Sequence, residues 1–403
     1  MSQHVMIVGA GPVGMVCALA LGRQGIAVTV VEREPAPVMD QRAASLHPPT
    51  IAMLADLGIG DTIIEKGLIA PNFQYHDRLG GEIVAEFDLG LMKDEFRYPF
   101  VLQYEQYKLT DDVSTRYARE IGFAVRFSTE ATDIVQKDDH VLVTLRQGDA
   151  VETMRVDYLI GADGGRSTVR KSQDIAFEGF TYDERFVKIA TPFDFGAEKT
   201  DYAFRNYFSD PTEWCNLFKV RGADGKGLWR AIFPTRVDET EDEALGHAGL
   251  QARLQKFFPK AGEYEIAYSN MYAVNQRVAA TFRRGRVLLA GDSAHVNNPI
   301  GGMGMNGGIH DAVNLCEKLG AVLRGERSDD VLDLYSRQRR HAATAFVQAQ
   351  SIQNKRLLEE RDPAIRAEHL RQLRAAAADP ERARAFMRRA SLQDSLNDAQ
   401  SVT

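Results

Sequence analysis

The first thirty-two residues constrain the fold most. "HVMIVGA" is an apolar run, "PVGMVCALALGRQG" has the make-up of a helix, and "AVTVVE" is a second apolar run. This pattern predicts two strands buried on both faces and joined by a helical crossover, a βαβ unit. Between the first strand and the helix, Gly9, Gly11 and Gly14 form GxGxxG, with Pro12 at the helix start. The first glycine permits the tight turn, the second lets backbone approach a pyrophosphate, and the third lets helix and strand pack closely. Glu32 closes the second strand 18 residues past Gly14, with Arg33 beside it. A carboxylate there can accept hydrogen bonds from both ribose hydroxyls of an adenosine. The unit therefore predicts a bound dinucleotide, and taken alone it does not separate FAD from NAD.

Two later segments repeat the plan. "VDYLIGADGGRSTVRKSQDI" gives a strand over 156–160 that ends in Asp163 and Gly164, with Ser167 and Arg170 at a helix start. "RGRVLLAGDSAHVNNPIGGMGMNGGIHDAVNL" gives a strand over 287–290, then Gly291 and Asp292, a loop, and a helix from about Asn306. Asp292 suits a polyol, because its carboxylate can accept from ribityl hydroxyls. After Pro299, glycines 301, 302, 304, 307 and 308 free a run of backbone N–H groups around Met305 and Asn306. Such a helix N-terminus carries partial positive charge and stabilises anions. A reduced flavin ring is anionic around N1 and O2 and has to lie flat against backbone. One extended cofactor, with adenosine at residues 9–32 and isoalloxazine at 299–304, would account for both glycine-rich turns, and the expected cofactor is FAD.

Together, "GAGPVG", "GADGGRSTVR" and "GDSAHVNNPIGGMGMNGG" in this order resemble the single-component class A flavoprotein monooxygenases of the para-hydroxybenzoate hydroxylase type, over residues 1 to about 345. The resemblance implies that Arg42 in "QRAASLHPPT" and Gln103 in "VLQYEQYKL" touch FAD, and "LYSRQRRHAA" resembles the segment that ends the FAD region, with His341 where proline is common. The expected architecture is α/β. A Rossmann-type FAD-binding domain (1–71, 98–179 and 276–345) is interleaved with an antiparallel β-sheet substrate domain (72–97 and 180–275). A helical segment (346–403) follows. The alternation in "FVKIATPFDF", "CNLFKVRG" and "LWRAIFP" fits antiparallel strands with one buried face.

The resemblance also implies a reaction. NAD(P)H reduces FAD and leaves, O₂ adds at flavin C4a, and the hydroperoxide passes an oxygen to a phenol-type ring or a hydroxypyridine. No second strand–glycine–helix fingerprint occurs, which fits NAD(P)H as a transient co-substrate. Tyr207, Trp229 and Arg230 are candidates for the substrate wall and His47 for the FAD side; of these His47, Tyr207 and Arg230 form the candidate catalytic set, with no base assigned. His295 reads as a structural hydrogen-bonder. Two other classes stay open: a halogenase or prenyl-chain reductase on the same fold, and a non-catalytic FAD-binding module. Against a halogenase, "LWRAIFP" has one Trp where WxWxIP has two, and "GAGPVG" lacks a lysine.

Composition excludes several partners. A net charge of −7 leaves no electrostatic footprint for nucleic acid or an anionic membrane. Cys17, Cys215 and Cys316 are far apart and odd in number, so no disulfide framework, CxxC pair or metal site is expected. No uninterrupted apolar run reaches the roughly 18 residues of a membrane span, and a cytoplasmic homodimer is the expected state. The many arginines beyond about residue 342 read as a solvated helical face.

Overall fold

The computed structural model describes residues 3–39 and 43–403; Arg42 lies outside the described residues. The expected βαβ unit is strand His4–Val8, helix Pro12–Gly22 and strand Ala27–Val31. These strands pair in parallel, Val5 opposite Val28 and Ile7 opposite Val30. They sit inside a six-stranded sheet that also takes in Tyr158–Gly161, Val287–Leu289, Ala124–Arg126 and an antiparallel edge, Arg283–Arg284. Residues 13–21 of the first helix are buried on every side, since one flank lies on the sheet and another meets helix Met303–Leu323.

Two boundaries differ from the sequence reading. The strand expected over 156–160 is Tyr158–Gly161, because residues Ala150–Val156 pair instead with Val141–Gln147 in a separate antiparallel sheet. The last glycine-rich helix begins at Met303 rather than near Asn306, with Gly302 in the left-handed region (φ +71°) as its N-cap. Met305 and Asn306 therefore stand in its first turn.

A second, eight-stranded sheet carries Asn72–Asp77, Glu82–Asp88, Phe177–Thr191, Arg205–Ser209, Cys215–Val220, Leu228–Pro234, Tyr268–Ala279 and His295–Val296. It is antiparallel as expected, with one exception: Arg205–Ser209 runs parallel to Asn72–Asp77. The 72–88 hairpin joins the edge from a distant part of the chain, so no tight turn forces the antiparallel sense.

Strand alternation divides this sheet between two cores. Trp229, Ala231 and Phe233 point to one face with Phe195, Leu217 and Leu254. Ile232 points to the other with Phe186, Tyr207 and Trp214. Trp229 is thereby corrected as a substrate-wall candidate. It packs edge-on to Phe195 and donates its indole N–H to Asp194 at 2.8 Å, on the opposite face from Tyr207.

Of the C-terminal arginines, Arg371, Arg382 and Arg389 lie on an exposed face as expected, while others pair with distant carboxylates. Helices Pro363–Ala378 and Pro380–Ala390, capped by Asp362 and Asp379, lie on the 72–97 excursion. Arg366 pairs with Asp77, Arg374 with Glu82, and Arg384 and Arg388 with Glu95 at 3.4 and 3.1 Å. Among the described residues no helix is long and apolar enough to cross a membrane.

Candidate active site

At the first turn, two glycines are required by the protein itself. A Cβ on Gly9 (φ +105°) would stand 2.4 Å from the carbonyl oxygen of Ala162, and one on Gly14 would stand 1.9 Å from that of Gly9. Gly11 is different. Its backbone is ordinary (φ −67°, ψ 176°) and an added Cβ would meet nothing within 4 Å, so internal packing does not call for glycine there. The following helix has no side-chain cap, which leaves its first N–H groups available to an anion. Glu32 is held at the edge of the turn, where Oε2 accepts from the Ala10 amide at 2.8 Å and Oε1 from the Glu34 amide at 3.1 Å. Arg33 is mostly exposed and pairs with Glu34.

The distant glycine-rich segment meets this turn. A Cβ on Gly291 would stand 2.7 Å from Val13 of the first helix, and one on Gly308 would stand 3.0 Å from the Gly291 Cα. Asp292 is exposed at the end of strand Val287–Leu289. The Pro299 carbonyl accepts from the Gly302 amide at 3.0 Å, and Gly301 (φ +98°) completes the turn. Gly304 is half-buried, facing Asn297, while Met305 packs into the core. Helix Met303–Leu323 again has no side-chain cap. Asn306 pins the loop: Oδ1 accepts from the His47 amide at 2.8 Å, and Nδ2 donates to the carbonyls of Ser45 (2.8 Å) and Gly302 (2.6 Å).

Gln103 accepts from Ser45 Oγ at 2.6 Å, while its Nε2 is buried with no partner among the described residues. A buried amide donor is costly to leave unpaired, so this atom points to a missing acceptor. Asp163 accepts from Ser167 Oγ (2.5 Å) and from the amides of Thr168 and Val169 (2.7 and 3.1 Å), organising the short helix Thr168–Ser172. Burial pushes its pKa up. Gly164 (φ +80°) faces open space.

A buried triad holds the second turn in place, with His295 in the structural role its sequence context indicates. Asp311 takes His295 Nε2 at 2.8 Å, Arg339 Nε at 2.7 Å and the Gly291 amide at 3.1 Å. Asp311→Ala would strand the Arg339 guanidinium in the interior and is expected to cost about 3–5 kcal/mol, read as the drop in unfolding free energy by denaturant titration.

Beside the second turn lies a cavity walled by His47, Tyr75, Arg205, Tyr207, Gly301 and Phe386, among others. Tyr75 and Tyr207 stack with centroids 5.0 Å apart, and Arg205 donates to the Tyr207 hydroxyl at 2.9 Å. Arg205 is 5% exposed, makes no ion pair among the described residues, and its Nε has no hydrogen-bond partner there. His47 Nε2 lies 3.1 Å from the Gly301 carbonyl, which can only accept, so Nε2 carries the proton and the buried Nδ1 presents a lone pair. Burial, aided by the Arg205 charge, lowers the His47 pKa to about 3, and burial pushes that of Tyr75 up.

The structure therefore brings together two of the three candidate catalytic residues, His47 and Tyr207. Arg230 is buried two strands away, in the cross-strand row Arg230–Phe218–Arg205, and does not line the cavity. Arg205, Tyr75 and Phe386 were missed. Arg205 stands two residues before Tyr207, on the same face of the strand by alternation, so "RNYF" held that signal.

Buried neutral histidines set a pH dependence. His47 and His76 have folded pKa values of about 3 and 4, lowered by burial from 6.5, and burial also holds that of His310 well below its ordinary value. Between those values and 6.5 the unfolded chain binds the extra protons, so stability falls as pH falls. Each histidine contributes up to about 1.4 kcal/mol per pH unit. The midpoint of urea unfolding is expected to drop steeply from pH 6.5 to 4, and His76→Gln to flatten that slope.

Two uncapped helix N-termini on segments that meet at Val13 and Gly291, an unobstructed Gly11 and an orphaned Gln103 amide define a dinucleotide-binding α/β protein, and an aromatic cavity of the second sheet lies beside the second glycine turn. Residues 2–350 match the FAD binding domain family. The chain is 34% identical over 392 residues to para-nitrophenol 4-monooxygenase from Pseudomonas sp. (strain WBC-3), covering 95% of this chain and 93% of that one. It is 33% identical over 371 residues to 6-hydroxy-3-succinoylpyridine 3-monooxygenase HspB from Pseudomonas putida (strain DSM 28022 / S16), covering 90% and 91%. The crystal structure of p-nitrophenol 4-monooxygenase PnpA from Pseudomonas putida DLL-E4 superposes with a TM-score of 0.91 at 33% identity, over 98% of both chains. The protein belongs to this FAD-binding family and is an FAD-dependent aromatic monooxygenase.

Proposed function

We propose that the protein hydroxylates a single-ring phenol or hydroxypyridine, bound as its anion, with NAD(P)H and O₂. The observation that carries this reading is Arg205: a buried guanidinium without a carboxylate partner among the described residues, in an aromatic-lined cavity next to the glycine loop. A buried cation is stable only with an anion and hydrogen bonds around it, and a phenolate or pyridinolate supplies both. Bound FAD would supply the redox chemistry, hydride acceptance from NAD(P)H and transfer of one oxygen atom of O₂ to the ring. At a ring C–H carbon the balance is ring C–H, O₂, NAD(P)H and a proton giving ring C–OH, NAD(P)⁺ and water; at the nitro-bearing carbon of para-nitrophenol the nitro group leaves as nitrite, and para-nitrophenol, O₂ and NAD(P)H give benzoquinone, nitrite, NAD(P)⁺ and water.

The chain's own residues bind, orient and keep out water. Arg205 and the Tyr207 hydroxyl hold the substrate oxygen, and the negative charge they stabilise raises the electron density of the ring. His47 stays neutral at working pH and acts as a hydrogen-bond acceptor at Nδ1 rather than as a proton donor. Glu32, Gln103, Asp292 and the N–H groups of the two helix starts would hold FAD, with NAD(P)H as a transient co-substrate. The names of the relatives favour para-nitrophenol as the first substrate to try. Three buried free thiols fit a reducing, cytoplasmic setting, and a homodimer is the assembly to look for by light scattering.

The test is NADH and NADPH oxidation by the yellow holoenzyme with and without a panel of nitrophenols, simple phenols and hydroxypyridines. A rise of at least about 10-fold with one ring compound and recovery of a hydroxylated product support the reading. Oxidation that no ring compound changes contradicts it.

A further inference from the structure

We infer that helix Pro380–Ala390 is the yielding cover of the substrate cavity, and that Phe386 and Met387 on its inner edge set the size of ring the enzyme admits. This rests on the hydroxylase reading above. Phe386 lies flat on Phe87 (centroids 4.3 Å apart, planes at 6°) and edge-on to Tyr75, which itself stacks on Tyr207. Met387 is fully buried in the same cluster. With these side chains in place the cavity measures about 20 Å³. That is room for a water, and too little for an aromatic ring.

A ring can enter only if a wall moves, and the walls are not equally fixed. Tyr75, Arg205 and Tyr207 stand on hydrogen-bonded strands of the large sheet. The loop side is tied by the bonds of His47 to Gly301 and Asn306. The cover is held differently. It meets the 72–97 excursion through ring stacking and through the part-exposed pairs of Arg384 and Arg388 with Glu95, which are worth little each. One residue, Asp379, separates it from the preceding helix. The cover is the wall that yields, and the bulk of Phe386 and Met387 limits how far a substrate has to push it.

The test compares wild type with Phe386→Ala and Met387→Ala, each isolated with FAD. Two readouts are taken: kcat/KM for 2-naphthol relative to phenol, and the affinity of 2-naphthol from its perturbation of the flavin absorption band. Both the kcat/KM ratio and the affinity are expected to rise at least about 10-fold, within the range that pocket-size changes of this kind reach. If Phe386→Ala does not fold, Met387→Ala decides alone. Unchanged ratio and unchanged affinity overturn the inference. If no ring stimulates even the wild type, the hydroxylase reading fails, while the affinity comparison still tests the cover.

Discussion

Gly11→Val is expected to give a folded protein that purifies colourless. Gly9 and Gly14 are occupied by the protein's own backbone, so their substitution disturbs the fold and the ligand together. Gly11 separates the two. Its φ of −67° suits any residue, and a Cβ there touches nothing. Without ligand, Gly11→Val should change stability by no more than about 0.5 kcal/mol, the range of substitutions that meet no neighbour. With ligand, the isopropyl group stands where the backbone has to approach the pyrophosphate. We expect FAD affinity to fall at least about 100-fold, on the order of 3 kcal/mol. Isothermal titration of the apoprotein with FAD, beside urea unfolding of the same apoprotein, reads both quantities. An apoprotein that binds FAD as wild type does would mean the dinucleotide does not lie on this turn.

Arg205→Met should be the most damaging change in the substrate cavity. It keeps the approximate bulk of the side chain and removes the charge. Removing one partner of a buried, hydrogen-bonded charge pair costs about 2–5 kcal/mol, so kcat/KM is expected to fall on the order of 10²- to 10³-fold. The pH profile carries the specific signature. An opposite charge close by lowers the pKa of an acid by about 1–3 units. Without Arg205 the bound phenol ionises at higher pH, and the acid limb of the profile moves up by that amount. Raising the pH should then recover part of the lost activity. Arg205→Lys, which keeps the charge but not the fork, should fall between the two. Apo stability is expected to move the other way, because Arg205→Met removes a buried charge that lacks a carboxylate partner among the described residues. A profile that keeps its acid limb would place the substrate oxygen elsewhere.

The parts of the molecule legible in the sequence are those fixed by local rules. Strand His4–Val8 and helix Pro12–Gly22 follow from apolar runs and from glycines whose roles are defined by a turn only a few residues long. The meeting of residues 9–14 with 291–308 was legible only through the ligand, since no local rule joins segments so far apart. What the sequence hid depends on strand order and on parity. Trp229 and Arg230 are neighbours in the chain, yet a one-residue difference sends Trp229 to the far core. Arg205 and Arg230 share a face, and only the position of the 72–88 hairpin beside Arg205–Ser209 decides that Arg205 borders the cavity. The C-terminal arginines have the composition of an exposed helix; their partners Asp77, Glu82 and Glu95 lie nearly 300 residues earlier, where no periodicity could reveal them.

The central claim is that one FAD, held across both glycine turns, delivers oxygen from O₂ to a ring bound at Arg205. It is tested most directly by a turnover under ¹⁸O₂ with the ring compound of the panel that is best hydroxylated at a C–H carbon, followed by mass spectrometry of the product. The account predicts one ¹⁸O atom in the aromatic product, and loss of that product together with the yellow colour in Gly11→Val. An unlabelled product, or NAD(P)H consumption that ends entirely in hydrogen peroxide with every ring compound, would contradict it.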